Sequence, residues 1–336
     1  MVLCTSVTKC FGNMKQLALL ASIISVCFAN ILKDSKERYL EGDRYFLFPG
    51  DGDGQLHLVD IKAPIDNRII TSSRHPSNNN FWLFTRSHPT VAEILVYDDV
   101  NSIESSDFNM EKTTVFLVHG WLGDGNNEMN KILTKAFLEN DDVNVIVFDW
   151  SELASHNYIT AKNSVAAAGK GLGTFIKWLV SLGASYDRMH LVGFSLGAHV
   201  VGNAGRSTDS QVKRITALDP AGPLWKKDAN RLKNTDARYV EVIHTNTYML
   251  GYMDPLGDAD FYPNGGSNMP GCLNIVCSHR KGYEYMAESV KYNNLNANEC
   301  NNLNDVKRNR CNGDLYPMGN SDLNKSRSGI FRVNTE

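Results

Sequence analysis

From residue 113 onward, short apolar runs alternate with longer mixed stretches. Residues 115–118 (VFLV), 145–148 (VIVF), 191–194 (LVGF) and 240–243 (VEVI) are rich in β-branched and aromatic side chains. Runs of that length and composition predict strands. Residues 161–182, rich in Ala, Lys, Leu and Gly, predict a helix between the second and third of them. Strands interleaved with helices imply right-handed crossovers and a mostly parallel sheet with helices on both faces. Ahead of this block, 81–85 and 92–97 predict a hairpin or meander, split by a turn at His88-Pro89. The segment 293–324 is rich in Asn and poor in apolar residues, which predicts loops. There is no internal repeat and no Pro-rich linker, so one domain is expected over 44–336.

The N-terminal pattern is different. Residues 17–28 are a continuous apolar run, shorter than the roughly 20 residues a membrane-spanning helix needs. Lys15 precedes the run and Cys27-Phe28-Ala29 closes it, which predicts a signal peptide over 1–29 cleaved after Ala29, with Met14 as an alternative start. Residues 30–43 are charged and weakly patterned, suiting a propeptide or N-terminal arm. No later stretch is long and apolar enough to cross a bilayer. A secreted, extracellular protein is therefore expected.

Composition narrows the function classes. Hydrophobic content is 42%, charged content 21%, and net charge −3. That excludes a disordered or coiled-coil chain and lacks the basic footprint of a nucleic-acid binder. Of the seven cysteines, Cys4, Cys10 and Cys27 fall in the expected signal. The remaining four allow three disulfide connectivities. The in-order pairing, Cys272–Cys277 and Cys300–Cys311, makes two small loops and is the one expected; the spacing lacks the paired short clusters of a zinc site.

The strongest chemical signal is Gly193-Phe194-Ser195-Leu196-Gly197, which follows a strand-like segment and precedes a helix-like one. A serine on a tight strand-to-helix turn needs glycine two residues to either side. A nucleophilic serine also needs a base and an orienting carboxylate, in the chain order Ser, acid, His. That order leaves His244 and His279 among the nine histidines. His244 ends a predicted strand and suits a structural role. His279 is expected in a loop after Cys277, ahead of a helix-like 283–292, and is favoured as base. Asp219, between an apolar run and Pro220, is favoured as the acid over Asp236, Asp254, Asp258 and Asp260. Two N–H donors must face the oxyanion. Leu196 supplies one. Trp121, after His119-Gly120, supplies the other, with His119 as a core residue holding the loop.

Together, these segments resemble the pancreatic lipase family of secreted α/β hydrolases. The resemblance rests on VHGW at 118–121, GFSLGAHVVG at 193–202, ALDPAGP at 217–223, VIHTNT at 242–247, DFYPNGG at 260–266, PGC at 270–272 and CSHRKGYEYMAES at 277–289. It implies an α/β-hydrolase fold, a Ser195–Asp219–His279 triad, Trp121 and Leu196 as oxyanion donors, and no cofactor. The chain departs from the large lipases of the family in three ways. No C-terminal β-sandwich is expected after His279, and with it no colipase. Only four residues separate Cys272 from Cys277, where those lipases carry a long lid. Lys233 stands where the family's calcium loop usually has an acid, near the retained Asp236, so no metal is expected.

The short lid looks like that of the phospholipase A1 branch, including the insect venom enzymes. The expected function is hydrolysis of the sn-1 acyl ester of glycerophospholipids by a monomeric enzyme acting on phospholipid aggregates or a membrane surface. A loop so short predicts a groove open without lipid. A neutral triacylglycerol or galactolipid lipase is the alternative. A yolk-like lipid carrier is remote, because such relatives lack the serine. Asn324-Lys325-Ser326 is a candidate glycosylation site.

Overall fold

A computed structural model describes residues 39–72 and 75–336. The expected signal peptide and most of the 30–43 segment lie outside the described residues. An antiparallel hairpin, β1 (Tyr45–Pro49) and β2 (Leu56–Asp60), precedes the main sheet. The sheet is built from β3 (Asn80–Phe84), β4 (Glu93–Leu95), β5 (Thr114–Val118), β6 (Asn144–Asp149), β7 (Met189–Phe194), β8 (Arg214–Leu218), β9 (Val240–Ile243), β10 (Ala259–Phe261), β11 (Asn296–Cys300), β12 (Leu315–Pro317) and β13 (Gly329–Arg332). Its order is β12-β11-β13-β10-β9-β8-β7-β5-β6-β3-β4. The block from β13 through β6 is parallel, and the outer strands on both sides run antiparallel. This is the mostly parallel sheet that the alternating pattern predicts, in the α/β-hydrolase arrangement that the family resemblance implies.

Four long helices cover the two faces: α1 (Glu128–Asn140), α2 (Tyr158–Ser181), α3 (Leu196–Ser207) and α4 (Ile275–Tyr292). The period of two along each strand divides the core between them. Phe116, Val118, Ile146 and Phe148 point into the layer that α2 and α3 cover. Val115, Leu117, Val145 and Val147 point into the layer under α1 and α4. The glycines that mark 161–182 have a packing role. A Cβ on Gly169 would lie 2.4 Å from the Asn203 Cβ, so α2 and α3 touch nearly backbone to backbone.

Several boundaries differ from the expectation. The helix expected over 161–182 begins earlier, at Tyr158, because Asn157 caps it by accepting from the Thr160 N–H. The helix expected over 283–292 begins at Ile275, so His279 lies within a helix rather than in a loop. Its cap is Asn274, whose side chain accepts from the Cys277 N–H at 2.8 Å. The tail expected as loops holds β11 and β12. β12 forms the edge of the sheet and β11 joins it to β13, both through backbone bonds, which need little apolar patterning. Both disulfides are formed, Cys272 to Cys277 and Cys300 to Cys311.

Candidate active site

Ser195 sits between the end of β7 and the start of α3 with φ 56° and ψ −117°, a left-handed backbone that a non-glycine residue adopts at a cost of about 1–3 kcal/mol. The glycines on either side make the turn possible. A Cβ on Gly193 would lie 2.3 Å from the Gly197 carbonyl oxygen, and one on Gly197 would lie 2.2 Å from that of Val118. The Ser195 N–H donates to the Leu218 carbonyl at 3.0 Å, tying the turn to the end of β8.

Asp219 follows β8 directly, also with positive φ (38°), and is fully buried. Its Oδ1 accepts from the N–H groups of Thr245 and Asn246 at 2.8 and 2.9 Å. Its Oδ2 meets His279 Nδ1 at 2.5 Å. The backbone bonds lock the carboxylate, and the carboxylate locks the imidazole. His279 Nε2 is buried without a partner. It shares one crevice with Ser195, walled by Pro49, Gly50, Asp51, Val276 and Arg280. Phe194 and Phe48 pack around the imidazole, with ring centroids 4.5 and 6.0 Å away.

His244, the other sequence candidate, occupies a different environment. Its Nδ1 meets the Tyr252 carbonyl and its Nε2 meets Asp260 Oδ1, both at 2.8 Å. It stacks on Tyr262 with a centroid distance of 4.3 Å. Both ring nitrogens are committed, so it has none to offer a serine. His119 is likewise interior. Its Nδ1 lies 3.0 Å from the Gly120 carbonyl and its Nε2 3.2 Å from Asp149 Oδ1. Burial raises the Asp149 carboxyl, but the His119 hydrogen bond and charge outweigh that and bring it down to about 2.

Among the described residues, the backbone N–H groups of Trp121 and Leu196 donate to no acceptor. Leu196 is the first residue of α3, where helical N–H groups have no internal partner. Gly120 lies against the nucleophile: a Cβ there would sit 3.0 Å from the Ser195 Cβ. One unpartnered donor thus follows the serine directly, and the other follows the glycine packed against it.

The crevice departs from the open groove expected of a short lid. Its volume is about 10 Å³, and Ser195 and His279 are each 2% exposed. The cover comes from the turn after β1 and from the start of α4. The disulfide loop points outward, with Leu273 fully exposed. Sequence reasoning did not single out that turn, because Gly50-Asp51-Gly52-Asp53-Gly54 carries none of the catalytic motifs. A cleft of about 450 Å³ lies beside the site, between Tyr39–Leu40 on one side and the loops around Pro223 and Met249 on the other. Gly251 on its wall abuts Asp219, where a Cβ would lie 2.4 Å from Oδ1.

The stretch matching the family's calcium loop does not fit a cation. Asp236 is buried against Arg206, with Nη2 3.2 Å from Oδ2, and it accepts from the Lys233 N–H at 2.8 Å. Among the described residues, His88, Glu93 and Asp107 bring potential metal-ligating atoms within 4.8 Å of one another. They lie at the β3–β4 edge, far along the sheet order from Ser195, and His88 is paired with Asp107 at 2.9 Å.

The sequence profile of the Lipase family matches residues 60–320. Lipase member H of Oryctolagus cuniculus is 36% identical over 256 residues, covering 72% of this chain and 56% of that protein. Lipase member H of Xenopus tropicalis is 38% identical over 245 residues, covering 68% and 52%. Pancreatic triacylglycerol lipase of Myocastor coypus is 31% identical over 280 residues, covering 71% and 61%. The chain spans a little over half the length of these relatives. Among solved structures, a phospholipase/carboxylesterase from Dyadobacter fermentans aligns with a TM-score of 0.32 at 14% identity, covering 54% of this chain and 80% of that one.

Proposed function

Because the chain belongs to the lipase family of α/β hydrolases, we propose that it is a secreted phospholipase A1 that cleaves the sn-1 acyl ester of glycerophospholipids. One observation carries the chemistry: His279 has Nδ1 bound to Asp219, and its Nε2 is unpartnered in the crevice that holds Ser195. Ser195 Oγ attacks the ester carbonyl carbon while His279 Nε2 takes its proton. Asp219 keeps the proton on Nδ1 and stabilises the imidazolium. The N–H groups of Trp121 and Leu196 receive the oxyanion. The tetrahedral intermediate collapses, His279 returns the proton to the departing glycerol oxygen, and the acyl group stays on Ser195. Water, activated by the same imidazole, then releases the fatty acid.

Two observations favour a phospholipid. Only four residues lie between Cys272 and Cys277, so no long apolar lid crowds a polar headgroup. The Arg280 guanidinium stands on the crevice wall, held by Glu128 and the Tyr283 hydroxyl, and offers a cation to a phosphodiester. The disulfides suit an oxidising compartment and the expected signal peptide. In this reading the substrate is presented in phospholipid aggregates or a membrane surface, and the enzyme acts as a monomer without colipase.

The match to a pancreatic triacylglycerol lipase favours a second reading, a neutral lipase. Positional analysis of the fatty acid released from a mixed-acyl phosphatidylcholine, with a matched triolein assay, separates the two. Release from sn-1 at a rate above triolein turnover is expected. Faster triolein hydrolysis would give the assignment to the neutral lipase.

A further inference from the structure

Trp121 presents a difficulty that the fold must solve. Its N–H belongs to the Gly120–Trp121 peptide, and a Cβ on Gly120 would crowd the Ser195 Cβ at 3.0 Å. Glycine leaves that peptide freer to rotate than any other residue does. An oxyanion donor works only when its direction is set before the reaction. Within the loop, the carbonyl of that peptide meets His119 Nδ1 at 3.0 Å and accepts from the Gly123 N–H at 3.3 Å, so the aim of its N–H also depends on how the peptides on either side are held.

We propose that Asp51, in the turn between β1 and β2, is the positioning residue that aims the Trp121 N–H, an inference that rests on the esterase reading of Ser195 given above. Its carboxylate Oδ2 accepts from the Gly120 N–H at 2.8 Å, on one side of the critical peptide. Its own backbone N–H donates to the Trp121 carbonyl at 2.7 Å, on the other side. One residue thus grips both flanks of the unit that carries the donor. Neighbouring bonds extend the clamp. The Gly52 N–H donates to the Leu122 carbonyl at 3.1 Å, and Asn127 Nδ2 donates to the same Asp51 oxygen at 2.6 Å. Outside the turn, the Leu122 N–H reaches the Ala154 carbonyl at 3.0 Å and Trp121 Nε1 the His156 carbonyl at 2.7 Å. Those two bonds hold the loop and the indole, and neither fixes the Gly120–Trp121 peptide plane.

The clamp accounts for a carboxyl group turned inward beside the crevice. Burial raises Asp51 above the usual carboxylate range, against the Gly120 N–H and the nearby His119, His279 and Arg280. Asp51 also precedes residue 60, where the match to the family profile begins. The hairpin thus adds a part to the site from outside that region.

The test compares Asp51→Ala and Asp51→Asn in the full chain, with p-nitrophenyl butyrate as substrate and phenylboronic acid as a probe that becomes tetrahedral on Ser195. Asp51→Ala should lower kcat roughly 10²-fold, the scale of a misaligned catalytic group, with KM within about threefold of wild type. Boronic acid affinity should weaken in parallel. Asp51→Asn should recover kcat to within about tenfold, because one amide oxygen can accept from both Gly120 and Asn127. If Asp51→Ala melts below the assay temperature, Asp51→Ser is judged by the same ratios. The proposal is overturned if the truncated variant keeps kcat within threefold, if boronic acid affinity is unchanged while kcat falls, or if Asp51→Asn is as impaired as Asp51→Ala. The last outcome would make Asp51 a charge acting on His279 rather than a clamp. Ser195→Ala separates the two levels of failure. Wild-type activity in that variant sinks the esterase reading itself, whereas an inactive Ser195→Ala beside an active Asp51→Ala sinks only the clamp.

Discussion

Among the described residues, three aspartate–histidine pairs are buried, and one of them opens onto the crevice that holds Ser195. Asp149–His119 meets at 3.2 Å, Asp260–His244 at 2.8 Å and Asp219–His279 at 2.5 Å. All three histidines are essentially inaccessible. Neither burial nor the presence of a carboxylate distinguishes them. The difference is the second ring nitrogen. In His119 and His244 it meets a backbone carbonyl, which closes the hydrogen-bonding capacity of the ring. In His279 it is unpartnered beside Ser195. A satisfied pair braces a loop, and a pair with one open end holds a proton acceptor ready.

Breaking each pair should therefore have opposite consequences. The largest effect expected is on turnover. Ser195→Ala and His279→Ala should each lower kcat by roughly 10⁴–10⁶, and the double variant little further, because triad members act as a unit. Steady-state kinetics on a soluble ester measures this. His244→Ala should leave kcat of the folded fraction within a few-fold while costing about 3–5 kcal/mol in urea melts, since the buried Asp260 loses its imidazole partner and keeps only the Leu256 and Gly257 N–H groups. A dead but stable His244→Ala would reverse the assignment of the two histidines.

Asp219→Asn and Asp260→Asn sharpen the contrast with smaller changes in shape. The first should lower kcat by about 10⁴ by stabilising the wrong imidazole tautomer, with the protein still folded by circular dichroism. The second should lower the melting temperature and leave kcat nearly unchanged. Equal kinetic losses in both would mean that the open nitrogen is not what separates the pairs.

The smallest effect concerns a buried histidine that hydrogen-bonds no carboxylate. His199 stacks on Trp225, and its Nε2 meets the Ala221 carbonyl at 2.9 Å. Burial, which outweighs that bond, pulls it down to about 3. In the unfolded chain an imidazole titrates near ~6.5. The unfolded state therefore binds the proton first as the solution is acidified. Stability from this group is complete above about pH 6.5 and is lost as pH falls toward about 3, at roughly 1 kcal/mol per pH unit. Urea melts between pH 7 and pH 4 should show this slope, and His199→Gln should flatten it. A slope unchanged in the variant would assign the acid sensitivity to other groups.

Much of this arrangement was legible in the chain before any coordinates. The parallel strands follow from short β-branched runs, since a strand buried on both faces has few polar positions to interrupt it. The Ser195 turn was readable because its glycines are demanded by close backbone contacts. The Ser–acid–His order reduced nine histidines to two. The strands β11 and β12 at the end of the sheet were not readable, because their polar segments are held by ladder bonds more than by an apolar pattern. The early start of α4 was missed, although Asn274 ahead of Ile275-Val276 is a capping signal.

Local sequence thus determined which residues carry the candidate chemistry, because turns, periodicity and chain order are properties of near neighbours. Only the tertiary structure decided which nitrogen is open and what covers the serine. Those depend on groups far apart in the chain: Asp219 meets His279 across 60 positions, and Asp51 reaches Gly120 across 69. No local pattern records such contacts. They arise when the strands align their ends at one edge of the sheet and the loops there must satisfy one another's hydrogen bonds.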